Sequence, residues 1–516
     1  MKPQEKNLSL RCGEPGIARR FRTACAARFL LFLLVLPAAV QAQDYIYTTN
    51  DGTITITKYI GLGGDVAIPE RIDDLPVATI GNWAFQSCTI LSSVAIPNTV
   101  TYIGVESFSW CDSLTDVAIP DGVTNVGDYA FSYCFNLTNL SIGSRVSSIG
   151  GYTVLDCSSL ATISVNSSNT AYSSVDGVLF DKNQTTLLRC PPARPGIYSV
   201  PSSVTTIATP AFNECASLAE VAIPPGVILI EDIAFLGCTS LMAITVDASN
   251  PAFASLEGIL FDKNKNKLVR CPEGKAGNYE VPKSATSIGR AAFLTCASLG
   301  GVVVPDSVTS IGDEAFAGCY SLSNVSIGAG IASIPHGAFN SCWSLSSVMI
   351  GSRVTSIGDS AFYWCRTLTN ITLPQSVTSI DSGAFLNCFS LANIYFQGNA
   401  PSIGSGVFDG VTSATIFYLP GTTNWGATFG GRPTAVWALP YPVVLNSGPS
   451  FGVQPTGFGF TISWATNIPV VVGAATNLAN PVWLPVGTNT LTNGSAYFSD
   501  PGWTNHPGRF YRLRSP

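Results

Sequence analysis

Only two histidines, His336 and His506, occur in 516 residues, and charged side chains make up 11% of the chain. They lie far apart in sequence, so a His-paired zinc site or a Ser–His couple has little to be built from. A basic surplus is also missing: 26 Lys and Arg against 32 Asp and Glu leave a formal net charge of −6. Proteins hold nucleic acid first through its phosphates, so this balance argues against that class of partner. Apolar runs long enough for a transmembrane span are absent as well. Disorder is excluded from the opposite direction, because hydrophobic residues reach 46%.

The one sustained apolar run is near the start. Arg19, Arg20, Arg22 and Arg28 precede "FLLFLLVLPAAV", and "VQA" ending at Ala42 has the small-residue pattern of a cleavage site. Residues 1–42 are therefore expected to be a Sec-type signal peptide, with a mature protein secreted or held at the cell surface.

What the chain has in excess is order. "IGDEAFAGCYSLSNVSI" runs from Ile311 to Ile327, and variants of it begin at Ile80 and Ile357. Cys88, Cys111, Cys134 and Cys157 recur at one constant interval, as do Cys215 and Cys238, and again Cys296, Cys319, Cys342, Cys365 and Cys388. The two breaks in the series, Cys157 to Cys215 and Cys238 to Cys296, are equal to each other. A fixed period of this length marks stacked coils, none of which can bury its apolar face alone. Within a coil, Ala315, Phe316 and Cys319 fall at i, i+1 and i+4, the spacing of one face of a short helical turn. Leu322, Val325 and Ile327 end in a period of two and predict a short strand. Prolines such as Pro305 and Pro374 close it by removing a donor.

These motifs resemble the BspA-like leucine-rich repeats of bacterial surface and secreted proteins: L-x-x-V-x-I matches the repeat strand, and "IGxxAFxxCxSL" the opening of the repeating unit. The resemblance covers Ile80 to about Tyr395. It implies a solenoid with a parallel sheet on one face and, more loosely, a role in adhesion or partner binding. The cysteine stands before the Leu here, whereas better-known repeats place Asn or Cys after the strand.

The expected fold class is an α+β repeat, a leucine-rich-repeat solenoid with a parallel sheet and short helical turns. "YSSVDGVLFDKNQTTLLRCP" from Tyr172 and "FASLEGILFDKNKNKLVRCP" from Phe253 read as two β-hairpin insertions around an Asp-Lys-Asn turn. The division expected is a β cap at 43–79, the solenoid at 80–395, a C-terminal cap at 396–437, a linker at 438–457 and a small β-sandwich-like module at 458–516.

Three chemistries bear on this frame. Stacked cysteines run parallel about 5 Å apart, poor geometry for disulfides, and a single file does not surround a metal. Packing as buried free thiols is the expectation, ahead of disulfides and of metal. Asp176, Asp181 and Asn183 lack the dense oxygen spacing of a calcium loop. Lys263, Lys265, Lys267, Lys275 and Lys283 read as a solvated surface. Outward sheet positions such as Ser93, Asp116, Asn139, Glu220, Asn324, Asn370 and Asn393 supply no close acid pair for glycoside chemistry. No cofactor, no metal and no catalytic residue is expected.

Aromatic residues beside the cysteines remain. Trp110, Tyr133 and Phe135 cluster in consecutive coils, as do Tyr320, Trp343, Trp364 and Phe389. Exposed rings offer large apolar area at small entropic cost. The expectation is a non-catalytic binding or adhesion protein whose candidate ligand-binding residues are these seven, with a protein, polysaccharide or matrix partner. The alternatives are a polysaccharide-processing enzyme or its accessory scaffold, and a structural envelope protein. Oligomeric state is left open by the sequence.

Overall fold

The computed structural model describes residues 44–438, 441–445, 450–479, 481–506 and 508–514. The expected signal peptide lies outside the described residues. The chain divides into two units: one runs to Gly196 and adds Pro201–Leu218 and Gly226–Cys238, the other holds Ile197–Val200, Ala219–Pro225 and Thr239 onward.

In the first unit the hairpin Tyr45–Asn50 and Thr53–Tyr59 turns on Asp51 and Gly52, both at positive φ. That is the geometry a tight two-residue hairpin turn requires. Gly64–Ala67, Leu91–Ala95, Asp116–Ile119, Asn139–Ile142 and Thr162–Val165 then form a parallel sheet. Its register couples Asp116 to Asn139 and Val117 to Leu140, one coil apart. On the other side of each coil a two-residue strand continues a second parallel ladder, from Leu75–Ile80 through Tyr102–Ile103 and Asn125–Val126 to Ser148–Ile149.

The second unit repeats the scheme. Leu299–Val304, Asn324–Ile327 and Ser347–Met349 pair in parallel, and so do Asn370–Leu373, Asn393–Phe396, Thr415–Tyr418 and Arg432–Val436. Beyond them, two antiparallel sheets share a core of Phe460, Ile462, Val470, Val472, Leu491 and Phe498. Strands Val443–Leu445 and Gly452–Gln454, within the stretch read as linker, pair with Gly457–Ser463. Proline and glycine marked that stretch as a loop, but its Val and Leu residues still form edge strands.

The helical turns are a correction: among the described residues no coil contains a helix, so the fold is a β-solenoid rather than α+β. Two tandem turns take the helix's place. In the coil of Gly104–Cys111, Glu106 and Trp110 lie at φ of 52° and 62°, and in the next coil Tyr129 and Tyr133 lie at 57° and 58°. A left-handed residue at each turn swings the peptide N–H out along the stack. Glu106, Phe108 and Trp110 then donate to the carbonyls of Asp128, Ala130 and Ser132 in the following coil. Non-glycine residues resist this backbone by about 1–2 kcal/mol each, and the coil-to-coil bonds hold them there. The recurring Ile-Gly has a related cause: a Cβ on Gly104 would lie 2.5 Å from the Asn82 nitrogen of the coil before.

Packing follows from the period. Phe85, Phe108 and Phe131 are fully buried and stack at 4.7 and 5.2 Å. In the second unit Phe293, Phe316, Phe339, Phe362 and Phe385 continue at 4.8 to 5.3 Å. All thirteen described cysteines are buried, and none is joined in a disulfide. They also bond: Cys111 Sγ lies 3.3 Å from the Phe85 carbonyl oxygen, and Cys342 Sγ lies 3.1 Å from that of Phe316. Burial pushes the Cys157 and Cys319 thiols well above the ordinary range, which suppresses the reactive thiolate. Native protein is therefore expected to resist iodoacetamide, while denatured, unreduced protein should take up label at nearly all of these sites. Mass spectrometry showing oxidised pairs in the denatured, unreduced sample would refute this.

Each insertion has two turns rather than the one expected. Tyr172–Val175 pairs antiparallel with Val178–Asp181 around Asp176 and Gly177, both at positive φ. Val178–Asp181 pairs in turn with Thr186–Arg189. Asp181 closes the second turn by accepting from the Thr185 and Thr186 amides at 2.7 Å, so its carboxylate serves the backbone. The second insertion matches this with strands Phe253–Leu256, Ile259–Asp262 and Lys267–Arg270.

A buried arginine ends both insertions, and each finds its carboxylate differently. Arg270 bonds Glu273 at 2.6 Å, three residues on. At the position equivalent to Glu273 the first copy has Pro192, and Arg189 instead faces Glu214 at 3.8 Å. Glu214 in turn corresponds to Thr295 of the second copy. The charge has moved while the arginine stayed, as expected if a buried guanidinium requires a counter-ion.

Candidate binding surfaces

Rings next to the cysteines fall in two columns because the coil is strictly periodic. Trp110, Tyr133 and Trp364 occupy the position just before the cysteine, at φ of 62°, 58° and 60°. Phe135, Tyr320, Trp343 and Phe389 occupy the position just after it. The left-handed conformation at the first column is shared by Ser87, Thr295 and Ser341, so it belongs to the architecture and not to the rings.

In the first unit the structure brings all three candidates together. Trp110 stacks on Tyr133 at 4.3 Å and 10°, and Phe135 meets both edge-on at 5.8 and 6.4 Å. Trp110 is 42% exposed and Phe135 37%, while Tyr133 is half-buried. Burial raises the Tyr133 phenol above its usual range, assisted by Asp156, Glu214 and Glu106. This cluster therefore has an acidic rim.

The second unit's cluster has the opposite sign. Tyr320 lies 4.3 Å from Trp343. Beyond Trp343 comes the guanidinium of Arg366, 4.9 Å from that ring and 4.6 Å from Trp364. A cation between two indoles gains from both ring faces. Trp364 is half-buried against Tyr363, with centroids 5.7 Å apart, and its Nε1 is enclosed without a protein acceptor. Phe389 is 54% exposed in the next coil.

Arg366 is the residue that sequence reasoning missed. It directly follows Cys365, in the same column as Trp343 and Phe389, so its place was readable. Reading that column by residue class takes only its rings and passes over the cation between them. Among the described residues no group of three or more His, Cys, Asp or Glu is placed to hold a metal ion. No helix among them is long and apolar enough to cross a membrane.

Both clusters stand on coils matched by one family profile, described as BspA type leucine rich repeat region. It matches in 6 copies over residues 77–183, 197–273 and 286–415. The chain belongs to the BspA-type leucine-rich repeat family. Among solved structures, this BspA-type chain is similar to a leucine rich cell surface protein from Faecalibacterium prausnitzii at 31% identity, covering 70% of this chain and 96% of that one, with a TM-score of 0.48. A leucine-rich repeat protein from Bacteroides ovatus shares 23% identity over 75% of this chain and 94% of its own, at a TM-score of 0.34. The pneumococcal vaccine antigen PcpA shares 15%, over 77% and 97%, at 0.40. No curated protein matches the chain.

Proposed function

We propose that this BspA-type chain is a non-catalytic binding protein, secreted or displayed at the cell surface, that engages a protein or glycan partner through its aromatic columns. The observation that carries this reading is the Tyr320–Trp343–Arg366–Trp364 stack. Its rings and guanidinium are held in contact by side-chain packing before any partner arrives. A prearranged surface loses less entropy on binding, and Trp, Tyr and Arg are the residue types in which interface energy concentrates. The stack carries one positive charge, which favours a partner with acidic or hydroxyl-rich chemistry. Family membership supports a binding role, and the relative from Faecalibacterium prausnitzii is described as a cell surface protein.

The test is a glycan and matrix-protein array probed with the chain and with its Trp343→Ala/Trp364→Ala variant. An anchor of this type commonly contributes about 2 kcal/mol, so each loss should weaken binding roughly thirtyfold. The Phe and Cys ladders remain, so the variant should melt like the parent. A folded double variant that binds unchanged would overturn the assignment of the surface.

A further inference from the structure

The ring column of the second unit is interrupted by a cation. Positions one past the cysteine in consecutive coils read Tyr320, Trp343, Arg366 and Phe389. Arg366 is exposed, and among the described residues its side chain makes no hydrogen bond or ion pair. What holds it is the pair of indoles, Trp343 at 4.9 Å and Trp364 at 4.6 Å. Stacking of that kind uses the faces of the planar guanidinium, whereas its N–H donors point outward in the plane. A fork that is positioned and unspent suits the two oxygens of a carboxylate.

The neighbouring positions bear on what carries the carboxylate. Two past the cysteine, the same coils read Ser321, Ser344, Thr367 and Ser390, a row of hydroxyls alongside the row of rings. The Thr367 hydroxyl donates to the Trp343 carbonyl at 2.9 Å, and its oxygen remains an acceptor. Rings beside hydroxyls match a pyranose, whose C–H face is apolar and whose rim is hydroxylated. Spacing separates this ligand from a peptide. Tyr320 and Trp343 lie 4.3 Å apart, and the Arg366 guanidinium follows at 4.9 Å. A linear hexuronan advances by a similar distance per sugar, whereas an extended peptide returns a side chain to the same face only after about 6.6 Å.

Charge distinguishes the two ring clusters. At the positions one before, one after and two after Cys319, Cys342, Cys365 and Cys388, no acidic side chain occurs. In the first unit Asp112 follows Cys111 and Asp156 precedes Cys157, within the columns that hold Trp110, Tyr133 and Phe135. Those like charges repel a polyanion, although the rings are as suitable.

We propose that the Tyr320–Trp343–Arg366–Phe389 column binds a linear acidic polysaccharide of the uronic acid type. One uronate carboxylate sits on the Arg366 guanidinium and the flanking sugars lie on the rings. This names the ligand class for the surface to which the binding role above is assigned, and it rests on that role.

The experiment is calorimetric titration of the full chain, with a chelator present, using hexagalacturonate, its fully methyl-esterified form and hexaglutamate. Hexagalacturonate should bind saturably. The ester, which keeps the sugar backbone without the charge, should bind about tenfold more weakly. Added salt should weaken the acid and leave the ester nearly unchanged. Arg366→Gln should cost the acid about tenfold and the ester little, with Tm unaltered because the side chain is exposed. Arg366→Lys keeps the charge and loses the fork, so its affinity should fall between those of the parent and Arg366→Gln. Arg353→Gln removes another exposed arginine of the same unit and should change neither ligand. Absence of saturable hexagalacturonate binding, an equally bound ester, or an Arg366→Gln variant that binds like the parent overturns the proposal. Tighter hexaglutamate overturns the sugar in favour of an acidic peptide. Each of these results leaves the wider reading standing if the array still shows a ligand lost with Trp343 and Trp364. Undiminished hexagalacturonate binding by the folded double Trp variant overturns the surface, and both readings with it.

Discussion

Phe316→Ala is expected to destabilise the second unit by about 3–5 kcal/mol, the usual loss for a fully buried ring whose site cannot collapse. The ring has no exposure and is held between Phe293 at 4.8 Å and Phe339 at 5.2 Å. Both neighbours are fixed by coil-to-coil hydrogen bonds, so neither can move to fill the space. Phe389→Ala is the matched control, because its ring is 54% exposed beside Cys388. A surface change of that kind should stay within about 0.5 kcal/mol. Urea unfolding followed by hydrogen exchange distinguishes the two. Because repeat arrays lose stability locally, the first amides to lose protection in Phe316→Ala should be those of its own and adjoining coils. Equal effects from the two substitutions would mean that the ladder is not the core.

The second large effect concerns Arg270. Removing its carboxylate through Glu273→Ala leaves a buried guanidinium without its counter-ion, and a broken buried pair of this kind costs about 3–5 kcal/mol. Glu214→Ala should cost less, since that side chain is 25% exposed and lies 3.8 Å from Arg189. The first copy also shows how to repair the damage. Glu273→Pro together with Thr295→Glu recreates in the second copy the arrangement of Pro192 and Glu214, and should restore most of the stability that Glu273→Pro alone loses. A double variant no more stable than Glu273→Pro would show that the two sites are not interchangeable and that the pairing argument fails.

Side-chain facing was readable from the sequence, and hydrogen-bond partnership was not. Leu322, Val325 and Ile327 announced their strand because alternate burial has one structural meaning at that length. Ala315, Phe316 and Cys319 pointed inward as expected, but i, i+1 and i+4 face together in a helical turn and in two tandem turns alike. Only the destination of the N–H groups separates these, and no pattern of apolar residues records it. The first turn of each insertion was missed because Asp176-Gly177 and Glu257-Gly258 are short beside the conspicuous Asp-Lys-Asn. Trp110, Tyr133 and Phe135 meet one another and Tyr320 meets Trp343, yet Arg366 shows that a surface column is defined by position and not by residue class.

Because coils of the uninterrupted runs bond their neighbours at one fixed separation, as Thr101 does Ala78, and their thiols reach back by another, as Cys111 does to Phe85, the array is indifferent to how many coils it has but not to slippage within one. Loss of a single residue would put every later side chain out of step with its predecessor, whereas loss of a whole multiple would leave each bond with an equivalent partner. The two insertions share "RCP" at matching points, Arg189-Cys190-Pro191 and Arg270-Cys271-Pro272. A recombination joining Arg189 directly to Cys271 would delete the stretch from Cys190 to Arg270 without disturbing that register. It would also bring Glu273 next to Arg189 while discarding Glu214, so the shortened chain would still carry one counter-ion for its buried arginine. Length, in this protein, is the property that can change most cheaply.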